Sequence, residues 1–220
     1  NKTMNRIQKI FQDRTEKVIP FLTAGYPSKK DTAQMVLAAE KSGAAMVELG
    51  MPFSDPLADG PIIQAASQKA IENGVNISWI LEVVTEIRRE SEIPLVLMGY
   101  INPIINYGIG KFIHDCKLAG VDGLIIPDLP PEEADELLQV ANDAGICIIL
   151  LVAPNTGNER IREISKLAGS LIYCVAILGI TGETGANRGE LQQYLKRVEE
   201  NSECPYVVGF GIKERADVVE

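Results

Sequence analysis

Apolar residues in this chain fall in two alternating patterns. Short, unbroken runs rich in Val, Ile and Leu recur at 18–24, 45–50, 94–99, 121–126, 146–152, 171–176 and 206–210. Runs of that length without polar alternation predict strands covered on both faces, as in a parallel sheet. Between them lie amphipathic stretches with helical spacing, at about 4–14, 28–42, 62–73, 77–90, 104–119, 131–144, 157–168, 189–200 and from 213 onward. The junctions repeat. Leu118-Ala119-Gly120, Asp143-Ala144-Gly145 and Leu167-Ala168-Gly169 each close a helical stretch just before a strand, as Lys41-Ser42-Gly43 does earlier. The last three glycines are 25 and 24 residues apart. Glycine accepts the left-handed backbone that ends a helix, so the spacing predicts a repeated strand–helix unit.

A parallel sheet wrapped by helices can be an open doubly wound sheet or a closed barrel. The barrel is favoured. The unit is regular, and unusual residues gather at the strands' C-terminal ends: Thr23, Glu48, Met98-Gly99-Tyr100, Pro127-Asp128, Ala153-Pro154-Asn155 and Gly209-Phe210-Gly211. Barrel active sites lie at that end. No G-x-G-x-x-G follows the first strand, which weakens a dinucleotide-binding reading. The expected fold is therefore α/β, a (β/α)8 TIM barrel in one domain over 1–220. Its eighth strand and last helix are missing before Glu220, so either the protein continues or this form is incomplete; a start at Asn1 without Met also hints at a fragment.

Composition narrows the function. With 220 residues, 46% apolar and 23% charged, the chain can build one large core. A net charge of -9 argues against nucleic-acid binding, which needs a basic face, though backbone N–H groups can still hold a small phosphate. His114 is the single histidine, which excludes a multi-His metal site and makes a Ser-His-Asp triad improbable; a surface or structural role is expected. Cys116, Cys147, Cys174 and Cys204 form no C-x-x-C, and Cys147 and Cys174 are expected to be buried thiols. The N-terminus has no signal-peptide core, and the longest uncharged stretch, 93–110, is broken by prolines and glycines; a cytoplasmic protein off the membrane is expected.

Candidate chemistry concentrates in Val47-Glu48-Leu49-Gly50-Met51-Pro52-Phe53-Ser54-Asp55-Pro56-Leu57-Ala58-Asp59-Gly60-Pro61. Glu48 ends an apolar strand. A strand-end carboxylate facing water is the plain alternative, but apolar neighbours can desolvate it and lift its pKa toward neutrality. Asp55 and Asp59 precede Pro and Gly, so turn chemistry alone could explain them. The prolines also stiffen the loop, which suits a site needing fixed geometry. The glycine-rich 179–189 segment reads either as a linker or as a lid. Gly209-Phe210-Gly211-Ile212 reads as a tight turn or as a phosphate-binding turn near strand seven.

Four segments then carry a resemblance: Pro20-Phe21-Leu22-Thr23-Ala24-Gly25-Tyr26-Pro27, the Glu48 to Pro61 segment, Gly179-Ile180-Thr181-Gly182 and Gly209-Phe210-Gly211-Ile212. In order and spacing the chain resembles the tryptophan synthase alpha subunit family from about residue 5 to Glu220. The resemblance implies retro-aldol cleavage of indole-3-glycerol phosphate to indole and glyceraldehyde 3-phosphate, with no metal or organic cofactor. It implies Glu48 as the proton-transfer residue and Asp59 as the carboxylate at the ring nitrogen, converging on an indole-sized cavity. It also implies Phe21, Tyr173 and Tyr100 in the indole pocket, Thr181 reaching Asp59, and Gly182, Gly211 and Phe210 at the phosphate. Pro52, Asp55 and Pro56 would meet a beta subunit that uses pyridoxal phosphate, in an alpha2beta2 heterotetramer. The family's Gly-Ser phosphate turn after strand eight has no counterpart before Glu220. A catalytically weak chain acting mainly as regulatory partner of a beta subunit is therefore a second reading. A Schiff-base aldolase ranks last, because no lysine ends a strand.

Overall fold

The computed structural model describes residues 4–13, 15–57, 59–176 and 188–209. Its contacts form two compact units, Asn1–Ile148 and Ile149–Glu220. The first holds strands β1 (Phe21–Thr23), β2 (Val47–Gly50), β3 (Leu95–Met98) and β4 (Gly123–Ile125). All three pairings are parallel and follow chain order. Its helices are α1 (Arg6–Ile10), α2 (Asp31–Lys41), α3 (Pro61–Glu72), α4 (Ile77–Ile87), α5 (Ile101–Tyr107), α6 (Ile109–Ala119) and α7 (Asp135–Ala144). The second holds β6 (Ile172–Val175) between β7 (Tyr206–Gly209) and the later residues of β5 (Cys147–Val152), again parallel, with α8 (Asn158–Ala168) and α9 (Arg188–Asn201). Neither unit reverses its strand order, and that reversal is the mark of a doubly wound sheet.

The strands are apolar because both faces are covered. Every residue of β2, β3 and β4 is buried. The glycines 25 and 24 residues apart end α6, α7 and α8 in the left-handed region, at φ +94°, +78° and +63°. The N-terminal helix is shorter than the 4–14 expected, and Asn5 caps it with a reciprocal bond to Gln8. Its Ile7 is fully buried, and a Cβ at Gly123 would lie 2.8 Å from Ile7 Cδ1. A bulkier residue in β4 could not coexist with that plug.

Two helical expectations change. The single helix expected at 104–119 is α5 and α6, broken at Gly108, whose φ of +93° no right-handed helix contains. The first of these also begins before Pro103. A proline in the opening turn is tolerated, because those N–H groups have no partner within the helix. The stretch expected at 131–144 opens with a 3-10 turn over Pro131–Glu133 before α7 starts at Asp135. The helix expected from 213 onward lies outside the described residues.

A buried ion cluster anchors the strands' N-terminal end. Asp122 is 4% exposed. Its Oδ1 accepts from Arg6 at 3.1 Å, and its Oδ2 accepts from Arg88 at 2.6 Å and from the Leu95 N–H at 2.9 Å. One carboxylate thus ties α1, the end of α4 and β3 to the start of β4. In parallel α/β barrels this end serves stability, while active sites lie at the other.

Candidate active site

At the C-terminal ends of β1 to β4, side chains alternate, and in-register neighbours share a face. Glu48 pairs with Phe21 and Val96, and Gly50 pairs with Thr23 and Met98. Glu48 and Gly50 are two apart, so they share one face. The Phe21 ring rests against the Gly50 backbone: a Cβ there would overlap ring atom Cζ and lie 2.9 Å from Cε2. Glycine at 50 is what lets the ring lie that close to the strand.

Glu48 is 5% exposed. Burial pushes its carboxyl up to about 7. No cation or hydrogen-bond donor among the described residues offsets that desolvation, so the protonated form is favoured until near neutrality. Asp59 meets a different setting. It is half-buried, and burial raises its pKa above the ordinary carboxylate value. The Tyr100 hydroxyl donates to Asp59 Oδ2 at 3.1 Å and pulls the other way, favouring the anion. Two carboxyls with unlike environments can serve as acid and as fixed negative charge.

The structure brings Phe21, Asp59 and Tyr100 together around one cleft, with Gly50, Met51, Ile63, Ser67, Met98, Gly99 and Pro127 completing its lining. The cleft volume is about 10 Å³, room for one water. Among the described residues this cleft is smaller than the indole-sized cavity expected from the sequence. Glu48 does not line the cleft, and the Phe21 ring leans on Gly50, the next residue on the same face. Tyr100 is 4% exposed and tilts against Phe53 with centroids 5.4 Å apart. Tyr173 is buried in β6 of the second unit, where its ring fills the space a side chain at Gly209 would need. Thr181, Gly182, Phe210 and Gly211 lie outside the described residues.

In the loop after β2, Pro52 and Pro56 are half-buried, and exposed Asp55 accepts from Ser54 Oγ at 2.6 Å. Leu57 and Ile62 beside it are 88% and 82% exposed. His114 is exposed; Cys174 is buried as expected, and Cys147 is only half-buried.

Sequence reasoning did not single out Ser67, Met51, Ile63 or Met98 as lining residues. A signal existed for Ser67. With Ala66 and Ala70 it forms the buried face of α3, and small residues at helical spacing mark a close approach. Asp128 was noticed only as a strand-end residue; its Oδ1 accepts from the Ile101 N–H at 3.0 Å.

Comparison with known proteins identifies relatives of this arrangement. A family model described as tryptophan synthase alpha chain matches residues 7–220. The tryptophan synthase alpha chain of Petrotoga mobilis is 47% identical over 209 residues, covering 95% of this chain and 81% of its own. That of Thermoanaerobacter sp. (strain X514) is 46% identical over 213 residues, with the same coverages. Among solved structures, tryptophan synthase subunit alpha from Legionella pneumophila superposes with a TM-score of 0.89 at 38% identity, covering 96% of this chain and 80% of that one. A chain of the tryptophan synthase a2b2 complex from Pyrococcus furiosus gives 0.86 at 38% identity, covering 92% and 82%.

Proposed function

The chain belongs to the tryptophan synthase alpha chain family, and from that membership we propose that Glu48 and Asp59 carry its chemistry. The fold is the (β/α)8 barrel of that family. The activity is the lyase step of tryptophan biosynthesis: retro-aldol cleavage of indole-3-glycerol phosphate to indole and glyceraldehyde 3-phosphate. The partner is the beta subunit, in an a2b2 complex like that of the Pyrococcus furiosus relative.

The observation that carries the assignment is the environment of Glu48. A carboxyl lifted to about 7 holds a proton at neutral pH and can also surrender it. In the proposed cycle Glu48 gives its proton to indole C3. The ring becomes an electron sink, with positive charge developing at the ring N–H. Asp59, whose ionised form the Tyr100 hydroxyl favours against the pull of burial, faces that charge. A fixed carboxylate in a poorly solvated site stabilises such charge by several kcal/mol, on the order of 3. Glu48, now ionised, takes the proton of the side-chain hydroxyl. The C3–carbon bond breaks, its electrons return to the ring, and the oxygen-bearing carbon leaves as the aldehyde. One proton is given and one recovered, so Glu48 ends as it began.

Phe21 and Tyr100 would flank the indole ring, and family membership alone adds Tyr173 to the proposal. Thr181, Gly182, Phe210 and Gly211 belong to the proposal as lid and phosphate contacts. Pro52, Asp55 and Pro56 are proposed to meet the beta subunit, and the strong exposure of Leu57 and Ile62 beside them supports an apolar docking surface there. A single barrel domain and a cytoplasmic setting complete the reading; among the described residues no helix is long and apolar enough to cross a membrane.

The test is indole release from Glu48→Gln and Asp59→Asn, each checked for an unchanged circular dichroism spectrum. Each is expected to lose at least about 100-fold in kcat. Wild-type-like turnover in either refutes the role given to that residue.

A further inference from the structure

Asp59 owes its anion-favouring partner to a side chain 41 residues away, and that side chain has its own support. Tyr100 stands at the N-cap of α5 in an extended conformation, φ -96° and ψ 154°. Its side chain does not cap the helix; the hydroxyl is directed at Asp59 instead. The first N–H of α5, that of Ile101, would then lack a partner. Asp128 supplies one from outside, its Oδ1 accepting at 3.0 Å. Asp128 sits in the turn after β4, closed by the Leu129 N–H on the Ile126 carbonyl at 3.2 Å. The Gly99 N–H on the Ile125 carbonyl, at 3.0 Å, ties the two strand ends together just below.

We propose that Asp128 is a positioning residue for the cleavage reaction: by capping α5 from the β4 turn it fixes the backbone that carries Tyr100, and so sets the hydroxyl against Asp59. A carboxylate at a helix N-terminus is favoured by the helix dipole as well as by the bond itself. Without it the Tyr100–Ile101 turn gains freedom, and the phenol, a long lever on that turn, loses its aim. The inference rests on the ring-nitrogen role proposed for Asp59.

The consequence is chemical as well as geometric. The other lining around Asp59 is uncharged: Ile63 and Ser67 from α3, Met51 after β2, Met98 of β3, and Pro127 beside Asp128. Among the described residues Tyr100 is therefore the ionisable group that lines the cleft with it. Its hydrogen bond lowers the Asp59 pKa against the pull of burial. A slack Tyr100 leaves burial unopposed, and Asp59 then stays protonated to higher pH.

The experiment measures kcat and KM for indole formation against pH, with the beta subunit present. The variants are Asp128→Ala, Asp128→Asn, Tyr100→Phe, the Asp128→Ala/Tyr100→Phe double variant, and Asp59→Asn. Asp128→Ala is expected to lower kcat about tenfold and to move the acid limb to higher pH, and the same is expected of Tyr100→Phe. Asp128→Asn keeps an acceptor oxygen and should restore most of both. The double variant should lose no more than Tyr100→Phe alone, because both changes remove one interaction. If Asp128→Ala does not fold, Asp128→Ser, whose shorter side chain withdraws the acceptor, takes its place. An unmoved acid limb, losses that multiply, or no rescue by Asn overturns the inference. Asp59→Asn separates the two failures: an active Asp59→Asn enzyme removes the reading beneath, whereas an inactive one beside a wild-type-like Asp128→Ala removes only the role of Asp128.

Discussion

Replacing Glu48 by glutamine is expected to stabilise the fold, and increasingly so as pH rises. In the unfolded chain this carboxyl titrates near 4.5, and in the folded protein burial holds it at about 7. Between those values the folded state keeps a proton that the unfolded state has released, so stability falls as pH increases. The full difference of about 2.5 units corresponds to about 3 kcal/mol lost above neutral pH. Glutamine has the same shape and never ionises, so it escapes the loss. Between pH 5.5 and 8.5, both above the sequence pI of about 4.8, the advantage of Glu48→Gln over wild type should widen by about 2 kcal/mol. Equilibrium urea unfolding of both proteins at the two pH values measures it. With an m-value of roughly 3 kcal/mol/M the extra midpoint shift is about 0.7 M. A stability difference between the two proteins that does not change with pH would refute the claim that Glu48 is desolvated and uncompensated. The same substitution should abolish indole release, so one change is expected to raise stability and remove activity, the trade that strained catalytic groups impose.

Two other substitutions test the frame around the site. Gly50→Ala drives a methyl into the Phe21 ring; it should cost about 1–3 kcal/mol by overpacking and raise KM as the ring is pushed into the cleft, and thermal melting beside steady-state kinetics will show both. Arg88→Met removes the charged partner of Asp122 Oδ2, leaving it the Leu95 N–H, and also the donor to the Gly120 and Ile93 carbonyls; leaving buried Asp122 half-paired should cost about 3 kcal/mol, a fall in Tm of roughly 6–12 °C, and an unchanged Tm would show that Arg6 alone suffices.

Much of the architecture was legible because it depends on neighbours in sequence. Gly120, Gly145 and Gly169 end helices where the spacing predicted, since a left-handed residue is a local requirement. The strand cores were legible because a strand covered on both faces needs unbroken apolar residues. The misjudged helix at 104–119 failed on local grounds too. Gly108 breaks an otherwise continuous helical pattern, and Pro103 lies in the first turn of a helix rather than before it. Glu48 stands out because a carboxylate in an apolar strand is unusual, although it lies within β2 rather than at its end, and Asp59 because it lies in the same motif-bearing segment.

The order of strands and helices, the glycine-marked helix ends and the two carboxylates on one short stretch could be read from residues alone, because all follow from backbone preference and periodicity over a few positions. Packing of distant segments is what leaves Glu48 desolvated with no partner among the described residues, lets Tyr100 reach Asp59 across 41 positions, and has Asp122 and Asp128 accept bonds from elements far along the chain. A side chain's solvation and its partners depend on which strands lie side by side. That adjacency arises from packing the whole sheet, so no window of sequence contains it.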